Sequence, residues 1–288
     1  MMNFTLELDN ISFHYTGIGG SKDKVLDQVN LRFDQKACTA VVGPSGSGKT
    51  TLIQLFTGLL KPVSGTVRFN GQDIWQKPTR FGEIRKKIGL VFQFPETQLF
   101  EETVYKDISF GPLKSGFSRQ ETDERVRAAM AAVGLSFEKF AERSPFKLSE
   151  GEKRRVAIAG ILAMGPGMVV MDEPTAGLDP RGVRTIVSVI DTLSASGVSV
   201  LLITHNMELV ARVADRVLVM NAGKIIWDGH PRALFDEKEV IQQSHLEIPA
   251  IVHVLKDLSG PLPEPVIGNP ETAALFNDIE RTLNNVIM

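Results

Sequence analysis

Short apolar runs alternate along this chain with stretches whose apolar residues recur at helical spacing, and that rhythm predicts the architecture before any chemistry is considered. Residues 4–9 and 11–15 alternate apolar with polar side chains, the pattern of antiparallel strands with one wet face. Residues 39–42, Thr-Ala-Val-Val, form a short apolar strand leading into a glycine-rich segment, and 50–58 reads as the helix that follows. The stretch 65–74 has the pattern of a hairpin turning at Asn70-Gly71.

A helical block comes next. Ser118 with Glu121 three residues on is a capping box, and Val126, Met130 and Val133 recur at helical spacing until Gly134 stops the run. Ser149 opens another helix that extends to about Ala163. Then follow a strand at 169–171, a helix at 183–194, a strand at 198–203 and a short helix at 206–213. The runs 217–220 and 224–227 make a last hairpin around Asn221-Ala222-Gly223. Apolar strands alternating with helices predict an α/β fold with a mostly parallel sheet covered on both faces. The antiparallel pieces near the start and after residue 65 predict a small β-subdomain beside it.

Past about residue 236 the pattern changes. A short apolar segment at 248–258 and a helix-like stretch at 270–287 flank the break Gly260-Pro-Leu-Pro-Glu-Pro. The expected division is one domain over 3–235, with its helical subdomain at about 95–165, and a helical C-terminal extension over 236–288.

Composition narrows the function classes. With 288 residues, 43% hydrophobic and 23% charged, the chain can bury a large core. A formal net charge of −2 argues against nucleic-acid binding through a broad basic face. The single cysteine, Cys38, rules out an internal disulfide, and no signal-peptide pattern is visible at the start, so the cytoplasm is the expected compartment. No run approaches the roughly 18 apolar residues that a bilayer span requires, so work at a membrane would need partners.

The strongest chemical signal is Gly43-Pro44-Ser45-Gly46-Ser47-Gly48-Lys49-Thr50, which matches G-x-x-x-x-G-K-[ST] between a strand and a helix. Glycines let successive backbone N–H groups turn inward around phosphates, and the helix N-terminus adds its positive dipole end. Lys49 would reach the β- and γ-phosphates and the Thr50 hydroxyl would ligate Mg²⁺, with Thr51 also on the nucleotide side. The apolar run Met168-Val-Val-Met then delivers Asp172 and Glu173 to a strand end, where open α/β sheets bind ligands. Asp172 would hold Mg²⁺, and Glu173 would act as general base on the attacking water. A nucleoside triphosphate with Mg²⁺ is therefore the expected ligand.

These motifs alone admit kinases, GTPases and many motors. Leu148-Ser-Glu-Gly-Glu-Lys-Arg-Arg155 ahead of the Asp-Glu strand, and Ala176-Gly-Leu-Asp179 after it, make the chain resemble the ATP-binding-cassette (ABC) superfamily, whose signature reads L-S-G-G-Q. The resemblance covers about residues 3–235 and implies a P-loop nucleotide-binding domain with a RecA-like mixed sheet core, an antiparallel β-subdomain and a helical subdomain. It implies that Tyr15 stacks on adenine, that Gln93 senses Mg²⁺, and that His205 contacts the γ-phosphate. Ser149, Gly151 and Asp179 would meet the nucleotide of a second ATPase subunit, because each site in the family lies between two chains. Glu150 and Glu152 depart from the signature. The pattern Ser149-x-x-Glu152 is equally a capping box, so a structural reading of that segment stands beside the functional one.

A finer resemblance lies in Phe92-Gln-Phe-Pro-Glu-Thr-Gln-Leu-Phe100 and the following Glu-Glu-Thr-Val-Tyr-Lys-Asp-Ile-Ser-Phe-Gly-Pro112. This is similar to energy-coupling factor (ECF) transporter ATPases, in the form of the second of their two ATPase types. It implies a heterodimer with a related ATPase at the cytoplasmic face of the membrane. The segment from Phe94 to Phe100 would meet a transmembrane T component. Substrate-binding S components would choose a vitamin or transition-metal ion, with no nucleic acid involved, and the extension would hold the two ATPases together. A conventional ABC transporter ATPase, a non-transport ABC protein and a nucleotide-gated assembly module remain open at this point.

Overall fold

The computed structural model describes residues 5–16, 22–33, 37–76, 81–250 and 252. Strand β1 (Leu6–Thr16) pairs antiparallel with β2 (Lys22–Phe33). The two strands expected at 4–9 and 11–15 are thus one. Its register slips between Leu8 and Ile11, where Asn10 takes a φ of 53°. A bulge adds one residue there, so Leu8 and Ile11 both point inward although three positions apart. That phase change is what breaks the alternation in the sequence. No element was expected at 22–33, because Asp27, Gln28 and Asn30 interrupt its buried Leu26, Val29, Leu31 and Phe33.

Strand β3 (Cys38–Val42) leads into α1 (Lys49–Phe56). The expected hairpin follows as β4 (Ser64–Phe69) and β5 (Gln72–Asp73) around Asn70-Gly71. Next come α2 (Phe81–Lys87), β6 (Ile88–Val91) and a 3₁₀ turn at Pro95–Gln98. The helical layer is α3 (Val104–Lys114), α4 (Arg119–Ala132), α5 (Phe137–Phe140) and α6 (Glu150–Ala163). No separate helix was expected at 104–114 within the helical subdomain, where Gly111-Pro112 obscures the helical period. Pro112 lies inside the last turn and lacks the N–H for one helical bond, and the helix is terminated by Gly116, whose φ of 88° lets Phe117 N–H donate to the Pro112 carbonyl. Thr103 caps the other end by accepting a hydrogen bond from Lys106 N–H.

The chain continues through β7 (Met168–Asp172), α7 (Pro180–Ala195), β8 (Ser199–Ile203), α8 (Met207–Val213), β9 (Arg216–Asn221) and β10 (Lys224–Gly229). Two short helices close the described part, α9 (Pro231–Asp236) and α10 (Lys238–Gln243). The main sheet has six strands in the order β10-β9-β3-β8-β7-β6, parallel except for the β9–β10 hairpin. The second sheet is antiparallel, in the order β2-β1-β4-β5.

The main sheet is buried on both faces, and strand alternation decides which core each residue enters. Ala40 and Val42 of β3, with Val169 and Met171 of β7, face the helical layer, where Ile108, Met130 and Ile158 pack. Val41 and Val170 face the other way, against Leu52, Leu55 and Phe56 of α1 and the inner side of the antiparallel sheet. Phe33 and Phe56 meet edge-to-face at 5.2 Å there. Burying one such side chain contributes about 1.5–3 kcal/mol.

Leu234 and Phe235 of α9 are buried in the first core, as are Ile241, Leu246 and Val252. The residues just past 236 therefore pack on the main domain. The helix-like stretch at 270–287 and most of the 248–258 segment lie outside the described residues. Among the described residues, no helix is long and apolar enough to cross a membrane.

Candidate functional site

Strand β3 lies inside the sheet, between β8 and β9, so the loop after it opens at the middle of the sheet's C-terminal edge. The backbone there can be built only with glycine at two positions. Gly43 has φ 137°, and a Cβ on it would lie 2.0 Å from the Met220 carbonyl oxygen. Gly48, at φ 102°, would place a Cβ 2.7 Å from Leu26 Cδ2 and 2.8 Å from the Val25 carbonyl. No side chain caps α1 at Gly48 and its first turn carries no acidic residue, so its N–H groups remain available to an anion.

Lys49 folds back over this loop, its Nζ donating to the carbonyls of Gly43 at 2.8 Å and Pro44 at 2.9 Å, with Ser47 Oγ at 3.5 Å. Burial holds its pKa below the ordinary lysine value, opposed by the charges of Glu173 and Asp172. Burial also holds Asp172 above the ordinary carboxylate value, reinforced by Glu173 and opposed by Lys49. Two carboxylates thus crowd one half-buried ammonium at the strand end. The Thr50 hydroxyl and the Asp172 carboxylate line the same cavity, and this excess of negative charge on hard oxygen donors fits a divalent cation.

Glu173 leaves β7 with a φ of 46°, a left-handed conformation rare for a residue with a side chain. Its N–H donates to the Ile203 carbonyl at 2.8 Å. The carboxylate is then held from the neighbouring strand end. Thr204 Oγ1 donates to Oε2 at 3.0 Å, His205 N–H donates to Oε1 at 3.0 Å, and His205 Nδ1 lies 2.7 Å from Oε1. The His205 ring is 79% exposed and the Glu173 side chain only 15%, so the pair has one anchored and one free member.

Gln93, two residues past the end of β6, lines the same cavity of about 570 Å³ as Ser45, Gly46, Lys49, Thr51, Asp172 and Glu173. Tyr15 stands at its rim, about half exposed, edge-on to Phe13 at 5.0 Å and with its hydroxyl 3.4 Å from Thr51 Oγ1.

The other expected contacts are elsewhere. Ser149, Gly151 and Asp179 line a second cavity of about 430 Å³, and no residue lines both. Ser149 is the N-cap of α6, in a two-way capping box with Glu152: Ser149 N–H and Oγ each donate to Glu152 Oε2 at 2.9 Å. Gly151 has open space where a Cβ would be. Glu150 points outward, 71% exposed, with Lys153 Nζ at 2.7 Å. Asp179 caps α7, accepting from Gly182 N–H at 2.7 Å.

Three residues escaped the sequence reading. Thr204 orients Glu173, and its only signal was adjacency to His205. Arg154 and Glu96 form a buried pair, Nε to Oε2 at 3.1 Å. A charge four positions before the apolar Ile158, on the same face of a helix, was the available clue.

The ABC transporter family model matches residues 26–176. An energy-coupling factor transporter ATP-binding protein, EcfA2, from Clostridium tetani is 45% identical over 255 residues, covering 88% of each chain. The protein of that name from Caldanaerobacter subterraneus subsp. tengcongensis is 47% identical over 254 residues, with the same coverage. Among solved structures, cbiO1 from Clostridium perfringens, described as part of the ABC transporter complex cbiONQ, has a TM-score of 0.75 at 36% identity. That match covers 88% of this chain and all of the other. A dimer of the ATP-binding cassette MJ0796 with ADP and Pi has a TM-score of 0.69 at 28% identity, covering 78% and 98%.

Proposed function

The chain belongs to the ABC transporter family, among the ATP-binding subunits of energy-coupling factor transporters, and we propose how its site works and with whom. It binds and hydrolyses ATP as the ATPase of an ECF-type importer. The observation that carries the finer reading is the separation of the two cavities. The glycine loop and acidic pair line one, the Ser149 helix start and Asp179 line the other, and a single chain holds half of each site. A second ATPase, a related partner in a heterodimer, lays its own Ser149-type helix start over the phosphates held here.

Within the site, the loop N–H groups and Lys49 bind the β- and γ-phosphates, and Tyr15 stacks on adenine, a contact worth about 1–3 kcal/mol. Thr50, Asp172 and Gln93 would hold Mg²⁺, which would supply positive charge against the transferring phosphoryl oxygens. Glu173 accepts the proton of the attacking water, fixed in place by Thr204 and His205. The Lys49 ammonium has three N–H donors; the Gly43 and Pro44 carbonyls take two, and the third, only 3.5 Å from Ser47 Oγ, is left for phosphate.

The outer surface supports a membrane partner. Phe92, Phe94, Phe100 and Phe110 are exposed, and Phe100 and Phe110 stack edge-on at 4.9 Å beside Glu101 and Glu102. Apolar and acidic residues together suit the basic ends of coupling helices from a transmembrane T component. S components bound to it select the vitamin or metal ion, and the ATPase sits at the cytoplasmic face. The extension beyond 236 holds the two ATPases together when nucleotide leaves.

The test is affinity purification of the tagged chain from detergent-solubilised membranes, with the subunits identified by mass spectrometry. A related ATPase, one T component and several small membrane proteins are expected. One large permease with a solute-binding protein would overturn the T and S assignment.

A further inference from the structure

Arg154 is buried on the inner face of α6, one turn beyond Gly151, and all five of its N–H donors are engaged. Nε and Nη2 grip the Glu96 carboxylate in a two-pronged pair, at 3.1 Å each. Nη1 donates to the carbonyls of Pro174 and Ala176, both at 3.0 Å. Nη2 reaches the Gln93 carbonyl at 3.4 Å. One planar group therefore ties together three segments: the helix that begins at the second cavity, the turn leading to the exposed aromatic surface, and the peptide that follows Glu173.

The attachment points matter because Glu173 has a strained backbone. Its φ of 46° must be maintained by what surrounds it, and Pro174 is the next residue. We propose that Arg154 is a positioning residue for ATP hydrolysis: it clamps the Pro174 and Ala176 carbonyls so that Glu173 stays aimed at the attacking water, and it takes its own orientation from Glu96. This rests on the reading of Glu173 as general base. Glu96 lies in the 3₁₀ turn between Gln93 and the exposed Phe100, so the clamp joins the membrane-facing surface to the hydrolytic end of the site. A lysine could not replace the arginine, because one compact ammonium cannot span a carboxylate and two carbonyls on separate segments.

The experiment compares steady-state ATPase kinetics of the tagged full-length chain, purified with its associated subunits, as wild type, Arg154→Lys, Glu96→Gln, the double variant and Glu173→Gln. Folding is checked by circular dichroism and thermal melting. A displacement of about 1 Å at a reacting group costs on the order of 100-fold in rate. Arg154→Lys should lower kcat by about ten- to a hundredfold with KM for ATP little changed. Glu96→Gln should do the same to a smaller extent, and the double variant should be no slower than Arg154→Lys alone. A folded Arg154→Lys with wild-type kcat, or one in which only KM rises, overturns the inference. If Arg154→Lys does not fold, the kcat–KM split in Glu96→Gln decides. If neither folds, the cluster serves stability and the inference falls. Glu173→Gln separates the two claims: should it turn over ATP normally, the general-base reading itself fails, whereas its loss beside a normal Arg154→Lys refutes the clamp alone.

Discussion

Glu173 and His205 leave adjacent parallel strands and meet at 2.7 Å, Oε1 to Nδ1, with the carboxylate half-buried and the imidazole exposed. The anchored acid suits proton transfer and the free ring suits contact with an arriving phosphate. Glu173→Gln should lower kcat by about 10²–10⁴-fold while ATP binding persists. Thr204→Val, which removes the hydroxyl donating to Oε2, should lower kcat by a smaller factor and leave ATP affinity unchanged. Single-turnover rates beside equilibrium ATP titrations would check both. Normal single-turnover rates in Glu173→Gln would remove it from the chemistry.

Gly151 offers a test that separates folding from function. It lies in the first turn of α6, and a Cβ added there would meet nothing within 4 Å. Gly151→Ala should therefore keep or raise thermal stability, by up to about 1 kcal/mol from helix propensity. If a partner's phosphates approach this helix start, the added methyl should lower turnover of the assembled complex. Unchanged turnover would count against the second cavity as half of a nucleotide site.

Glu150 stands where the family signature has glycine. A carboxylate about 8 Å from a γ-phosphate costs on the order of 2 kcal/mol at an effective dielectric of 20. Lys153, 2.7 Å away, offsets part of that charge. The two sites of the working dimer should therefore be unequal, with the site completed by this helix the slower. Glu150→Gly is expected to raise ATPase activity of the complex and Lys153→Ala to lower it. Activity and transport unchanged in both variants would end the idea.

The helix start itself should be acid-sensitive. The Ser149 backbone N–H, followed by the Ser149 hydroxyl, holds the Glu152 carboxyl below the ordinary glutamate value, with burial opposing. A carboxyl whose pKa falls on folding stabilises the fold above its unfolded value and loses that contribution as pH drops through the folded value. The gap in melting temperature between wild type and Glu152→Gln should be widest near neutrality and close in acid. A gap independent of pH would mean that the charge of Glu152 contributes nothing to the cap.

The glycine loop, the acidic pair and the histidine were legible in the linear order because each is local chemistry at the end of an apolar run. Asp172, Glu173 and His205 need only their strands to be parallel neighbours, and the alternation of strand and helix predicts that. The capping boxes at Ser118 and Ser149 were equally legible, since their partners lie three residues apart and both form as expected. The strand at 22–33 and the single continuous β1 were not. A bulge shifts the side-chain phase by one residue, and only pairing across the sheet reveals that the phase recovers.

A glycine-rich loop at residues 43–50 and an acidic pair at the end of a second strand follow from the linear order alone, because backbone geometry and residue type settle them within a few positions. Which residues share a cavity was settled by folding. The fold put Tyr15, Gln93, Glu173 and His205 around the loop, and set Ser149, Gly151 and Asp179 apart in another hollow. It also brought Arg154 to Glu96, 58 positions away, and to the carbonyls of Pro174 and Ala176. Such partnerships have no period and no spacing to read. They follow from burial, which leaves a charged donor no water and makes every carbonyl and carboxylate within reach a required partner.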